Sequence, residues 1–229
     1  MRSSGRKSVS KQSTRMVRWT LYVLGSLPAL WTYHLALGDR LGADPLKVLE
    51  HTLGVWSLRF LVIGLAIRPL HVLGGPNLVA YRRAVGLLAF AYAALHVLVY
   101  AWLDQGLDLA AIIRDILKRP YITIGLLAFL ILVPLAVTSN AAMLRALGGK
   151  AWGALHRWVY VAAILAVLHF IMLRKTWSPE PLLYAALFLV LLLWRVWKHW
   201  IGKPRRRVAR SQRTGEEADA TARSIARLR

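Results

Sequence analysis

The chain has 229 residues, of which 57% are hydrophobic, and it carries 31 Lys and Arg against 10 Asp and Glu. This apolar share is too high for a water-soluble domain and indicates a membrane protein. The formal charge of +21 does not indicate nucleic-acid binding, because the basic residues flank apolar runs and no soluble domain presents them. The lack of cysteine excludes disulfides, thiolate-bound iron–sulfur clusters and covalent c-type haem attachment. Any metal must therefore be bound by histidine or oxygen.

Six apolar runs predict an all-α fold, a polytopic membrane helical bundle with about six transmembrane helices. In chain order the runs cover residues 19–37, 53–67, 84–103, 121–137, 158–173 and 181–197. Several are shorter than the ~20 residues that a perpendicular helix needs, so we expect their ends to extend into the flanking segments. Residues 108–119 have the apolar spacing of an amphipathic helix, which predicts that this segment lies on the membrane surface.

The distribution of charge predicts the orientation of the bundle. The first 18 residues hold six Lys or Arg and no acid, whereas seven of the ten acids lie in the first, third and fifth loops. Because Lys and Arg beside a span stay on the cytoplasmic side, both termini are predicted to be cytoplasmic. We divide the chain into a basic N-terminus (1–18), a transmembrane domain (19–200) and a basic tail (201–229) that is expected to be disordered.

Two histidines inside the apolar runs carry the most information, because ionisable groups in a bilayer are costly and need a partner or a function. His96 lies in the third run and His169 in the fifth. These two runs cross the membrane in the same direction, so the histidines are expected at similar depths. Two neutral imidazoles at one depth can bind a haem iron from both faces, which favours electron transfer. The alternative is that each is a buried histidine bonded to a backbone carbonyl.

A second cofactor near the cytoplasmic face is a further hypothesis. His156 precedes His169 by 13 residues, about 20 Å along an ideal helix, but the two side chains would point about 140° apart. The position 14 residues before His96 is Arg82, not a histidine. Arg82 and Arg83 could bind haem propionates or a flavin phosphate by bidentate hydrogen bonds, or they could be ordinary basic residues at a cytoplasmic span end.

Arg59 lies seven residues into the second run, where burial of a guanidinium costs several kcal/mol unless it snorkels or pairs. Either a haem propionate or snorkelling to the external surface would explain it. Four other histidines lie near span ends or in loops and are interpreted as structural: His34, His51, His71 and His199.

Several stretches of the sequence together resemble one family. They are Tyr81-Arg82-Arg83-Ala84-Val85-Gly86-Leu87, His96, Lys118-Arg119-Pro120-Tyr121-Ile122-Thr123, Leu155-His156-Arg157-Trp158-Val159-Tyr160 and Leu168-His169-Phe170. This combination resembles the MsrQ family, the haem-binding membrane subunits of the bacterial periplasmic methionine sulfoxide reductase system, within the ferric-reductase-like transmembrane superfamily. The resemblance implies haem ligation by His96, His156 and His169, a role for Arg82, one or two haem b groups, and FMN as a further cofactor.

The resemblance also implies a function in the bacterial inner membrane. The family takes electrons from the quinone pool or a cytoplasmic flavin reductase and passes them to MsrP, a periplasmic molybdopterin enzyme that reduces methionine sulfoxide in oxidised proteins. The chain would then be an electron-transfer subunit, with the sulfoxide-reducing site on its partner. One alternative is a ferric reductase-type cytochrome fed by a separate dehydrogenase. Another is a small transporter that uses Arg59 and the histidines as a substrate or proton path.

Overall fold

A computed structural model of the protein describes residues 4–173, 179–198 and 200, and all regular structure in these ranges is helical. The α-helices are α1 (Ser4–Leu37), α2 (Pro45–Val72), α3 (Arg82–Leu98), α4 (Leu109–Lys118), α5 (Pro120–Val137), α6 (Ala141–Leu155), α7 (Val159–Leu173) and α8 (Pro179–Lys198). Short 3₁₀ turns, Val79–Tyr81 and His156–Trp158, precede α3 and α7, and a π-helical segment, Val99–Asp104, continues α3. The predicted all-α class is confirmed. The predicted tail, 201–229, lies outside the described residues.

Five helical segments are long and apolar enough to cross a membrane, by length and composition. They are Pro45–Val72, Val79–Asp104, Pro120–Val137, Ala141–Leu173 and Pro179–Lys198. Each contains one of the predicted apolar runs. The first predicted run, 19–37, is helical and forms part of α1. Helix α1 is not among these five segments, because polar residues such as Thr20, Ser26 and Thr32 interrupt its apolar sequence. The described part of the chain thus has five such spans where the sequence predicted about six.

Four helices form the ring that positions the candidate site. Helix α2 packs against α3, α3 against α5, and α5 against α7. Helix α7 also packs against α2, which closes the ring. Helices α3 and α7 therefore occupy opposite corners of the ring, and α1 packs outside it against α2 and α3. The buried Ser57 hydroxyl on α2 donates to the carbonyl of Ala89 on α3 at 2.9 Å. The ring belongs to the first of two compact units, Met1–Phe188, and the second unit is Leu189–Arg229.

Local start signals fix where α2 and α5 begin. The Asp44 carboxylate caps α2 by accepting from the Lys47 amide at 3.3 Å, and Pro45 occupies the first turn. Hydrogen bonds from the Lys47 ammonium and amide lower the pKa of Asp44. Helix α5 likewise starts with Pro120 in its first turn, where a missing N–H costs nothing. Both helices thus begin at the same end of the ring, at which α3 and α7 end.

A side chain of α3 connects this helix to α1. It is inserted between two backbone groups of α1 that normally hydrogen-bond to each other. Next to Pro28, the buried Tyr92 hydroxyl donates to the carbonyl of Gly25 at 2.7 Å and accepts from the amide of Ala29 at 2.9 Å. In an uninterrupted helix these two backbone groups would hydrogen-bond to each other. The Tyr92 hydroxyl therefore takes the place of one backbone hydrogen bond of α1. A Cβ on Gly25 would lie 2.5 Å from a methyl of Leu88, so a larger residue at this position would require the Leu88 side chain to move.

Candidate functional site

The two histidines of the third and fifth predicted spans come together inside the ring of helices. His96 lies in the last turn of α3 and His169 in α7. Their ring centres are 6.3 Å apart, and the ring planes are inclined by 73°. An imidazole nitrogen binds a metal at about 2.0 Å and its ring centre lies about 1.1 Å further away, so two imidazoles on opposite faces of one iron have centres about 6.2 Å apart. The observed spacing fits two axial ligands of one haem iron.

Backbone carbonyls define the tautomer of both rings. Nδ1 of His96 donates to the carbonyl of Glu50 on α2 at 2.9 Å, and Nδ1 of His169 donates to the carbonyl of Tyr121 on α5 at 2.7 Å. Because a carbonyl only accepts, each Nδ1 carries the hydrogen and each Nε2 keeps its lone pair. In the part of the chain that the structure describes, neither Nε2 has a hydrogen-bond partner. Metal-binding histidines use this tautomer when the other nitrogen donates to a carbonyl.

Two glycines that the sequence interpretation missed contact the paired histidines. A Cβ on Gly125 of α5 would lie 2.7 Å from Nδ1 of His169, and one on Gly54 of α2 would lie 3.4 Å from Nδ1 of His96. In both cases the glycine follows, by four residues, the carbonyl that accepts the imidazole hydrogen. A glycine inside an apolar helix costs about 1 kcal/mol relative to alanine, and this unexplained cost is the signal that could have identified both positions.

His156 lies apart from this pair, in the 3₁₀ turn before α7. Its Nδ1 donates to the carbonyl of Trp152 at 3.1 Å, and its ring stacks on the Trp152 indole with centres 3.7 Å apart. Its Nε2 is 3.4 Å from the hydroxyl of Ser139. Arg82 begins α3, and the 3₁₀ turn that contains His156 leads into α7. His156 and Arg82 thus lie at the same end of α3 and α7, opposite the end that holds the paired histidines.

Arg82 and Arg83, at the start of α3, differ in exposure. Arg82 is half-buried and Arg83 is exposed. Neither forms an ion pair with any residue that the structure describes. Of the two, Arg82 is therefore the better placed to bind an anionic group beside His156.

Arg59 has protein partners within the membrane-spanning part of α2. Its Nε donates to the hydroxyl of Tyr184 on α8 at 3.0 Å, and its guanidinium carbon lies 4.6 Å from the centre of the Trp56 ring. A hydrogen bond and a cation–π contact both compensate for the removal of a guanidinium from water. These contacts stabilise the guanidinium of the half-buried Arg59.

Comparison with known proteins identifies the family. The model of the ferric reductase like transmembrane component matches residues 52–167. The "protein-methionine-sulfoxide reductase heme-binding subunit MsrQ" of Brucella ovis is 49% identical over 191 residues, which are 83% of this chain and 86% of that protein. The Brucella anthropi protein of the same name is 51% identical over 178 residues, 78% of this chain and 80% of the relative. The chain therefore belongs to the MsrQ family, within the ferric-reductase-like transmembrane components.

Proposed function

We propose that the chain is a membrane subunit that binds haem b and carries electrons across the bacterial inner membrane to a methionine sulfoxide reductase. The observation that carries this proposal is the spacing of 6.3 Å between the rings of His96 and His169. The names of the relatives, which describe heme-binding subunits of such a reductase, support it independently. In this proposal the chain is not itself the enzyme, and the sulfoxide-reducing site lies on its partner.

His96 and His169 would hold the haem through Nε2, one from each face. When bound, haem b would supply a one-electron couple for electron transfer. The hydrogen bonds from Nδ1 to the carbonyls of Glu50 and Tyr121 hold each ring in place and raise the basicity of Nε2. The residues of the chain thus provide both the ligands and the groups that orient them.

The pair of Arg82 and His156 is proposed as the place of a further cofactor, a second haem b or FMN. Arg82, with Arg83 beside it, would bind a propionate or phosphate by charge-assisted hydrogen bonds. Nε2 of His156 would bind a metal in place of its 3.4 Å contact with the Ser139 hydroxyl. Arg59 is also proposed to bind a haem propionate, through its terminal guanidinium nitrogens, while its Nε donates to the Tyr184 hydroxyl.

The proposed orientation, with both termini in the cytoplasm, needs an even number of crossings, so α1 would cross the membrane in addition to the five apolar segments. This orientation supports a direction of transfer. Electrons would enter from the quinone pool or a cytoplasmic flavin reductase. The paired histidines lie near the end of the ring where α2 and α5 begin, which is the periplasmic end in this orientation. A periplasmic molybdopterin reductase, MsrP, would accept electrons at that face and use them to repair oxidised proteins.

Reconstitution in liposomes tests the proposed function. Protein whose haem has been reduced by a quinol is mixed with the purified molybdopterin reductase, with methionine sulfoxide, or with both. We expect reoxidation, followed by the haem absorbance, only when both are present. A reduced spectrum that persists in the complete mixture would contradict the proposed partner. Reoxidation by methionine sulfoxide alone would show that the chain is itself a reductase.

Replacing Arg82 with alanine is expected to weaken binding of the second cofactor. A charge-assisted hydrogen bond contributes about 1.5–3 kcal/mol, so cofactor affinity should fall about 10- to 100-fold while the helices remain folded. The measurement is a titration of haem and of FMN against the purified variant. Arg68→Ala, an exposed arginine near the same end of the bundle, is the matched control. Equal affinities in the two variants would remove Arg82 from the site.

A further inference from the structure

Helices α2 and α5 make the same kind of contact with the histidine of the neighbouring helix. We call the Glu50 carbonyl with Gly54 the α2 contact, and the Tyr121 carbonyl with Gly125 the α5 contact. In an α-helix the Cβ of residue i+4 leans towards the N-terminus and lies over the turn that contains residue i. A glycine at i+4 therefore leaves the carbonyl of residue i open to an imidazole from the next helix.

The two contacts are not equally tight. At Gly125, a Cβ would lie 2.7, 3.0 and 3.1 Å from three atoms of the His169 ring. At Gly54, the nearest two atoms of the His96 ring would be 3.4 and 3.6 Å away. A Cβ therefore cannot be added at position 125 unless the His169 ring moves, whereas one at position 54 needs only a small adjustment. The α5 contact thus leaves the ring less freedom than the α2 contact does.

The histidine's own helix does not determine the plane of its ring. The backbone of α7 and the χ1 rotamer place the ring of His169, but χ2 of histidine has a broad energy well. The plane must therefore be selected by groups that touch the ring. For His169 these groups include the Tyr121 carbonyl, which receives the Nδ1 hydrogen, the Tyr121 ring, whose centre is 6.2 Å from that of the imidazole, and Gly125, where an added Cβ would overlap the ring.

We infer that Gly125 and the Tyr121 carbonyl are positioning groups for His169, and that together with the α2 contact they impose the angle of 73° between the two imidazole planes. This inference rests on the proposed haem function. The relative orientation of two axial imidazoles controls the splitting of the ferric iron orbitals, and hence the anisotropy of its electron paramagnetic resonance spectrum. The contacts on α2 and α5 would thereby set a spectroscopic and redox property of a site whose ligands are on α3 and α7.

The first test compares three glycine-to-alanine variants of the haem-loaded protein. Gly125→Ala is expected to change the anisotropy of the low-spin ferric signal, to shift the midpoint potential and to lower haem affinity at least tenfold. Gly54→Ala should stay within about twofold of the wild type in affinity, because its added methyl makes nearly ordinary contacts. Gly86→Ala, where nothing lies within 4 Å of the added Cβ, controls for a changed glycine in a helix. A Gly125→Ala variant with the wild-type spectrum and potential would overturn the inference.

The second test needs no substitution of Gly125. In His169→Gly, free imidazole can donate a hydrogen to the Tyr121 carbonyl, whereas 1-methylimidazole has no such hydrogen. We expect imidazole to restore the low-spin spectrum at a concentration at least tenfold lower, after correction for binding of the two compounds to haem in detergent. Equal restoration would rule out a positioning role for the carbonyl. If the wild-type protein bound no haem, the proposed function would fail as well. If it bound haem but Gly125→Ala left the spectrum unchanged and the two imidazoles restored His169→Gly equally, only the positioning role would fail.

Discussion

Replacing His96 or His169 with alanine is expected to abolish the six-coordinate, low-spin haem spectrum. Each substitution removes one of the two imidazoles whose ring centres lie 6.3 Å apart, so one axial position of the iron loses its ligand. Loss of a group that merely orients a metal ligand typically lowers affinity 10- to 100-fold, so loss of the ligand itself should cost at least as much. The measurement is haem content per chain after purification, together with the optical spectrum of the ferric protein.

His71→Ala is the matched control for these two variants, because His71 is an exposed histidine in the last turn of α2. It should keep the haem content and spectrum of the wild type. A fully occupied, six-coordinate haem in either His96→Ala or His169→Ala would show that the pairing is wrong, even though the two rings are adjacent.

Replacing Tyr92 with phenylalanine is expected to destabilise the protein, although the aromatic ring is kept. The change removes the hydroxyl that satisfies both the Gly25 carbonyl and the Ala29 amide in α1. Pro28 keeps this turn of α1 open, so the two backbone groups do not readily bond to each other. Each buried group left unpaired costs about 1–3 kcal/mol. The thermal unfolding midpoint of Tyr92→Phe in detergent should therefore be measurably lower than that of the wild type.

Tyr22→Phe is the corresponding control on α1, since the Tyr22 hydroxyl has no hydrogen bond within the described ranges of the chain. Its unfolding midpoint should match that of the wild type. If Tyr92→Phe unfolded at the wild-type temperature as well, α1 would be held to α3 by packing alone. Partial proteolysis of the two variants would show whether α1 is the part that loosens.

The fold class and the family could be predicted because their signals are strong and local. The apolar runs fix the spanning helices, since a bilayer leaves few other structures for such segments. The similar depth of His96 and His169 followed from counting span directions, and the two rings are indeed close. The resemblance to the MsrQ family, which rested on the residues around Arg82, His96, His156 and His169, is confirmed by relatives about half identical to this chain.

Other features depended on contacts between helices that the sequence does not encode locally. The contacts of Arg59 with Tyr184, 125 positions away, and with the nearby Trp56 were not predicted, and the propionate proposed for Arg59 stays a prediction. The roles of Gly54 and Gly125 depend on which helix each one faces, and no periodicity in a single run gives that information. The predicted first span, 19–37, is not among the five apolar segments because its polar residues make α1 less apolar than those segments.

The central claim, that His96 and His169 form a haem b site, is tested most directly by a reduced-minus-oxidised spectrum of the detergent-purified protein. Haem is quantified as the pyridine haemochrome on the same sample, and flavin is extracted from it. We expect a b-type spectrum with at least one haem per chain, and a second haem or a flavin would report on the site at Arg82 and His156. A folded protein that stayed colourless when supplied with haem would contradict the claim.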